Sequence, residues 1–399
     1  MTINKIFTII LIMFQLLFLY ATPIPSVSLA DVLLLMIYPF LILKMTKKSK
    51  LNLKKDYVPF IALLIYILLQ TLIISFGKDI NYITNIVATA GRFMFYLFTV
   101  IYFVPYFFDR KIGISLYKKI CLISTIFLFL QILVVKFFGY YIIGTIPGLP
   151  LIRTELAEFN QTIMNAGYLI RPRSFFAEPA HYVSYVSIYL AIGLFTKKNN
   201  YKEYFAEVII SIGIIVSNSA TGMIVLAFLW GMWIFKNFNI KSIDAKKLLM
   251  IIILFPIAIN IVISSEYFET FLERTFGSGG GGLGSAAVGR FSNFMWAFSS
   301  ENVSVGNFIF GRGMIETDKY ISGIPSMFYY FGIIGSLIFV LIILSMFIKA
   351  KYQQKILIML IIVMSIGGDA IFGPNCLLSF LFIINDENKK YLLKINEIK

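Results

Sequence analysis

The amino-acid sequence predicts an all-α polytopic integral membrane protein with about twelve transmembrane helices. Three observations carry that prediction. Hydrophobic residues make up 59% of the chain and charged residues only 14%, a composition outside the range of ordinary soluble globules. Apolar runs near the length a spanning helix needs, about 20 residues, follow one another almost end to end and leave no stretch the size of a soluble domain. The net charge of +15 rests mainly on lysines in short segments between those runs, which is the positive-inside pattern rather than a nucleic-acid footprint.

The runs fall at 5–21, 27–43, 57–76, 83–108, 118–138, 181–196, 203–217, 221–235, 248–265, 325–348, 355–372 and 374–385. The first resembles a signal peptide, with Lys5, an apolar stretch and Ser28-Leu29-Ala30 as a cleavage site. Cleavage there would fall inside the second run, so a retained first helix is expected. Alternating the runs puts both termini, the tail 386–399 and the loops 44–56, 109–117, 197–202, 236–247 and 349–354 on one side. Those segments hold most of the lysines, so that side is cytoplasmic. The whole of 1–399 reads as one transmembrane domain with two long external loops, 139–180 and 266–324. Loops of that length are usually functional or disordered.

Arginine is distributed differently from lysine. Of eight arginines only Arg110 is cytoplasmic; the others are external or inside a span. Lysine is a strongly hydrated point charge, whereas the planar guanidinium grips carboxylate or phosphate bidentately. External arginines therefore point to an anionic ligand, or to charges that must lie close to lipid.

The densest cluster is Arg171-Pro172-Arg173-Ser174-Phe175-Phe176-Ala177-Glu178-Pro179-Ala180-His181-Tyr182, which contains the protein's one histidine. Glu178-Pro179 reads as a helix start, since proline is favoured at the first helical position and an acidic residue suits the positive end of the macrodipole. Glu178 is then a cap or a reactive carboxylate. His181, three residues on, shares a face with Glu178. It is either a satisfied interfacial hydrogen-bonder or half of a base–orienter pair. Tyr182 and Tyr185 continue this edge into the span. Zinc is not expected, because the external segments supply no second histidine or cysteine ligand. Both cysteines, Cys121 and Cys376, lie in apolar runs.

The second loop carries Gly277–Gly284, which lacks the ending of a phosphate-binding P-loop and reads as a flexible hinge. It also holds Arg290, before the amphipathic stretch Phe291–Phe298, and Arg312 in Gly311-Arg312-Gly313, where glycine lets backbone approach a ligand closely. Arg92 and Asp369 are intramembrane charges. A central arginine costs about 2.5–3.5 kcal/mol on insertion scales, while a contact with an anion at an effective dielectric near 20 returns about 4 kcal/mol. The two could pair with each other or bind a ligand. Ser217–Gly222, at an outer helix junction, could bind sugar hydroxyls or satisfy two helix ends.

Ser174–Tyr182 resembles the signature segment of Wzy-type O-antigen and capsular polysaccharide polymerases, in the O-antigen polymerase/ligase superfamily. Ser217–Gly222, Gly289-Arg290, Phe310–Gly313 and Gly332–Gly335 are similar to further elements of that family. The ten residues between Arg312 and Gly323 fit an arginine–glycine spacing of such loops; the arginines of the first loop depart from it. The resemblance implies a GT-C-like, metal-independent membrane glycosyltransferase without cofactors. It would join oligosaccharide repeat units carried on undecaprenyl pyrophosphate, at the outer face of a bacterium's cytoplasmic (inner) membrane. Arg290, Arg312 and Arg171 or Arg173 would hold pyrophosphate, with Tyr182 beside them, and Glu178 with His181 would activate the acceptor hydroxyl. Membrane lipid and a chain-length regulator are the further partners it implies; nucleic acid is not one. A ligase passing glycan from the same carrier to another acceptor, and a flippase of lipid-linked oligosaccharide, are the competing expectations. A flippase predicts charges lining a midplane cavity.

Overall fold

The computed structural model describes residues 2–24, 27–46, 57–152, 171–197, 201–237, 286–299, 304–315, 317, 320–368 and 370–384. Its helices, in chain order, are α1 (Ile3–Leu17), α2 (Leu29–Thr46), α3 (Val58–Ser75), α4 (Ile80–Phe107), α5 (Arg110–Phe138), α6 (Pro179–Phe195), α7 (Phe205–Val216), α8 (Ala220–Asn237), α9 (Ala286–Ala297), α10 (Val305–Phe310), α11 (Gly323–Lys349), α12 (Tyr352–Gly367) and α13 (Gly373–Ile384). Six of them, α2, α3, α4, α5, α8 and α11, are long and apolar enough to cross a membrane. α1, α6, α7, α12 and α13 are shorter apolar helices. Each expected run coincides with one of these except 248–265, which lies outside the described residues, as do Gly277–Gly284, Arg153, Arg274, Asp369 and the tail 386–399.

The surface fits lipid as solvent. Leu68, Leu72 and Ile73 on α3 and Leu337 and Leu341 on α11 are exposed, Ile73 by 70%. Contiguous apolar surface of this kind is disfavoured in water. The described residues are those of an all-helical, multi-pass membrane protein.

Two expected loops contain helix. α5 starts at Arg110, inside the segment 109–117, because Asp109 accepts hydrogen bonds from the Lys111 and Ile112 amides at 3.0 and 3.1 Å, as a helix N-cap does. Arg110 Nη1 also donates to the Phe382 carbonyl at 2.7 Å, satisfying an orphan acceptor in the last turn of α13. The second is 266–324, within which α9 and α10 occupy 286–297 and 305–310. The amphipathic stretch at 291–298 is the latter part of α9.

The chain divides into two compact units. The first comprises Met1–Ile120, Ile146–Thr154 and Asn293–Lys399. Its interior is aromatic: Phe14 meets Tyr96 edge-on at 5.2 Å, and Phe93 packs on Phe372 and Phe331 at 5.4 and 6.0 Å, geometries that the ring quadrupole favours. α4 contains a π-helical turn at Thr99–Phe103, just ahead of Pro105. Proline lacks the N–H and crowds the carbonyl four residues back, and a π-turn absorbs both.

Arg92, midway along α4, pairs with Asp31 of α2 at 3.6 Å. The carboxylate also accepts from Tyr96 Oη at 2.7 Å and from the Ser28 amide and hydroxyl at 3.0 and 2.8 Å. The guanidinium lies 5.7 Å from the centre of the Phe18 ring. Among the described residues Arg92 thus has a counter-ion, Asp31; Asp369, the other charge in an apolar run, lies outside them.

The second unit comprises Cys121–Thr145 and Glu155–Ser292. α6 is its centre, buried almost continuously from Tyr182 to Phe195, as a helix apolar all round must be. α7 and α8 pack against it. Glu207 of α7 is 1% exposed, and its Oε1 accepts from Tyr189 Oη at 3.3 Å; no expectation singled out this carboxylate. Ser217, Asn218 and Ser219, between α7 and α8, are buried, with Asn218 at φ 51° and Ser217 Oγ donating to the Ile214 carbonyl at 2.7 Å. Of the two readings of that segment, this bonding matches satisfied helix ends.

Candidate functional site

In the second unit the segment ahead of α6 is built around a left-handed residue. Ser174 has φ 55°, a conformation that costs an L-residue about 1–2 kcal/mol. Three contacts hold it. Its amide donates to Gln131 Oε1 at 2.9 Å, its hydroxyl donates to the Ser124 carbonyl at 2.6 Å, and its carbonyl accepts from Gln131 Nε2 at 3.4 Å, an amide that also reaches the Ile142 carbonyl at 2.9 Å. Phe175 stacks on Phe127 at 4.4 Å, and Phe176 packs on Tyr185 at 5.1 Å. The two phenylalanines of the motif are therefore anchors.

Arg173 is 4% exposed, and its Nη1 donates to the Ala177 carbonyl at 2.7 Å. Burial holds its guanidinium below the ordinary arginine range, an effect opposed by Tyr141 and by the negative charge of Glu178. The side chain braces the turn that delivers Glu178. Glu178 is the N-cap residue of α6 by backbone, with Pro179 in the first helical turn, yet its carboxylate makes no capping hydrogen bond. It is half-buried, as are Arg171 and His181. The His181 amide donates to the Glu178 carbonyl at 3.1 Å. Tyr182 is fully buried, with its Oη 2.8 Å from Thr125 Oγ1, so it packs inside the unit and does not present a face to ligand.

In the first unit Arg312 sits on a three-residue turn seated against a broken helix. α11 is interrupted at Gly332, with φ 62° and ψ −167°. The interruption frees carbonyls that a continuous helix would use, and in a membrane each must find a donor. The turn supplies two: the Arg312 amide donates to Tyr329 O at 3.0 Å and the Gly313 amide to Tyr330 O at 2.9 Å. α3 supplies the rest. Tyr66 Oη is 2.7 Å from both Phe310 O and Phe331 O, and Gln70 Nε2 is 2.5 and 2.7 Å from Phe310 O and Tyr330 O. A Cβ on Gly311 would strike the backbone at Tyr330–Gly332, and one on Gly332 would strike that of Ile309 and Gly311. Only glycine lets the two strands of backbone touch.

The guanidinium of Arg312 lies over the Tyr329 ring at 5.3 Å, and Nη1 donates to Tyr329 Oη at 3.3 Å. Its Nε is buried and has no hydrogen-bond acceptor. Beside the side chain is a shallow pocket, open to solvent and lined by Phe298, Asn307, Phe308, Phe328 and Tyr329. Trp296 of α9 stacks on Tyr329 at 6.2 Å, and Asn293 donates to the Tyr320 carbonyl at 2.8 Å. Arg290 belongs to α9, but its side chain lies outside the described residues.

Neither Tyr66 nor Gln70 is singled out by the sequence reading. The available signal was Gln70 itself, an amide in the mostly apolar run 57–76. Comparison with protein-family models finds no match to this chain, and comparison with curated proteins finds none either.

Proposed function

We propose that the chain is a metal-independent membrane glycosyltransferase, a polysaccharide polymerase that joins oligosaccharide repeat units carried on undecaprenyl pyrophosphate. The observation that carries this reading is Arg312. A guanidinium with a buried, acceptor-less Nε stands beside a shallow, aromatic-lined pocket, on a turn fixed from several directions. An oriented cation with donor capacity to spare suits an anionic oxygen, and apolar walls beside it suit the adjoining parts of an amphipathic ligand. The lysine distribution puts this turn on the outer face.

In the reaction, the bond between the donor sugar's anomeric carbon and its pyrophosphate oxygen breaks as the acceptor hydroxyl oxygen bonds to that carbon. Undecaprenyl pyrophosphate leaves with the electron pair, and the acceptor proton passes to Glu178, with His181 orienting the acceptor. Stabilising the charge that builds on the leaving group falls to guanidinium groups, for which Arg312, Arg290 and Arg171 are the candidates the resemblance assigns. Arg173 braces the turn carrying Glu178, and Tyr182 packs behind it. Glu178 suits the part of base because its carboxylate is not spent on capping.

The test is the purified protein in vesicles with a lipid-linked repeat unit on the outer leaflet. Glycan elongation is expected, and its loss in Glu178→Gln, Arg290→Ala and Arg312→Ala, each still inserted. Normal ladders from all three variants would discard the site. Transfer to a different acceptor without elongation would indicate a ligase, and lipid translocation without glycan chemistry a flippase.

A further inference from the structure

We infer that Tyr66 and Gln70 of α3 are positioning residues for Arg312, acting through the broken helix α11 to aim the guanidinium into its pocket. The inference rests on the reading of Arg312 as an anion grip. It starts from an imbalance in how the site is built. An unbroken α11 would satisfy its own carbonyls and need no help from α3. The chain instead interrupts a long apolar helix at Gly332 and places an amide and a phenol on another apolar helix. It also keeps glycines at 311, 313, 332 and 335.

Each of these features converges on one product. Tyr66 and Gln70 are four residues apart, on the same face of α3. Both reach Phe310 O, at the end of α10, and both reach carbonyls freed by the break, Phe331 O for Tyr66 and Tyr330 O for Gln70. They therefore clamp the two backbones that bracket the turn 311–313 onto each other. Gly335 lets the Tyr66 ring lie against α11, where any Cβ would collide with it. Gln70 is 6% exposed, and its amide orientation is set by two carbonyls that both require the Nε2 end. Gly311 and Gly313 have no side chain to offer, so Arg312 is the one side chain the turn presents. With the clamp released, the Arg312 amide and the Tyr329 ring beneath its guanidinium lose their fixed relation. A cation that must be pre-oriented then loses affinity for its anion.

The experiment measures binding of farnesyl pyrophosphate, as a short polyprenyl pyrophosphate probe, to the full chain in nanodiscs. The variants are Tyr66→Phe, Gln70→Leu, Arg312→Ala and the doubles of each α3 variant with Arg312→Ala. Tyr66→Phe keeps the ring against Gly335 and removes one hydroxyl, so it serves if Gln70→Leu fails to fold. Tyr66→Phe and Gln70→Leu are each expected to weaken binding about tenfold, the effect of roughly one well-placed hydrogen bond. Arg312→Ala is expected to weaken it more, and neither α3 variant should add to that loss. Two outcomes would overturn the inference alone while Arg312 keeps its role: unchanged binding in both α3 variants, or losses that add in full to that of Arg312→Ala. Unchanged binding in Arg312→Ala would remove the anion grip and this inference together.

Discussion

Replacing Gly332 by alanine tests the crossing of α10 and α11 most directly. At φ 62° and ψ −167° the residue occupies a region essentially reserved for glycine, which costs other residues about 1–3 kcal/mol. The new Cβ would also strike backbone at Ile309 and Gly311, so the turn must lift off α11. That breaks the hydrogen bonds from Arg312 N to Tyr329 O and from Gly313 N to Tyr330 O, worth about 1 kcal/mol each in net terms. The sum is on the order of 3–5 kcal/mol. Gly77 provides the comparison, because its φ is 72° but nothing lies within reach of an added Cβ. Gly77→Ala should cost only about 1–2 kcal/mol. Reversible unfolding in mixed micelles would give both values, and pyrophosphate-probe binding should fall in Gly332→Ala alone. If Gly332→Ala is no more destabilising than Gly77→Ala, the backbone crossing does not exist as described.

Two further perturbations examine the charged pair and the Glu178 turn. Asp31→Leu leaves Arg92 without its described counter-ion and should cost about 2–3 kcal/mol, below the range for a fully buried pair because Arg92 is partly exposed; the double variant Asp31→Leu/Arg92→Leu should recover at least half in the same unfolding measurement, and no recovery would refute the pairing. Gln131→Leu removes partners from the Ser174 amide and the Ile142 carbonyl, about 2–4 kcal/mol in all. Tryptic cleavage between Arg173 and Ser174 should then accelerate, and an unchanged rate would show that Gln131 does not hold the turn.

How much of this was legible follows from the range of the interactions. Where a property depends on a window of about 20 residues, the sequence carries it. The apolar run 57–76 became α3 and the run 325–348 became α11, because hydropathy and backbone self-satisfaction act locally. Glu178-Pro179 announced the start of α6 for the same reason, since the proline constrains only its own turn. The helix in 286–297 was seen only as amphipathic, because glycine and polar residues dilute its apolar signal. Arg92 shows the boundary clearly. A charge in a span demands a partner, and that was readable; which carboxylate answers is decided by packing, and Asp31, 61 positions upstream, does so among the described residues.

The candidate site divides along the same line. That Arg312 lies between glycines, and that Glu178 and His181 share a helical turn, is written in the order of residues. That Arg173 and Tyr182 are taken up in bracing and packing depends on Arg173 meeting Ala177 and Glu178, and Tyr182 meeting Thr125, in space. Gln70 and the carbonyls it holds are 240 and 260 residues apart, and no local pattern encodes such a pairing.

The order of residues alone determined the solvent this protein folds in and the helices that face it. Those follow from transfer free energies and charge, which each segment carries with it wherever it packs. The tertiary structure alone decided which polar groups meet. In a lipid environment every freed backbone carbonyl must find a donor, and whether that donor comes from α3, from the turn at 311–313 or from nowhere is settled only when the helices have packed.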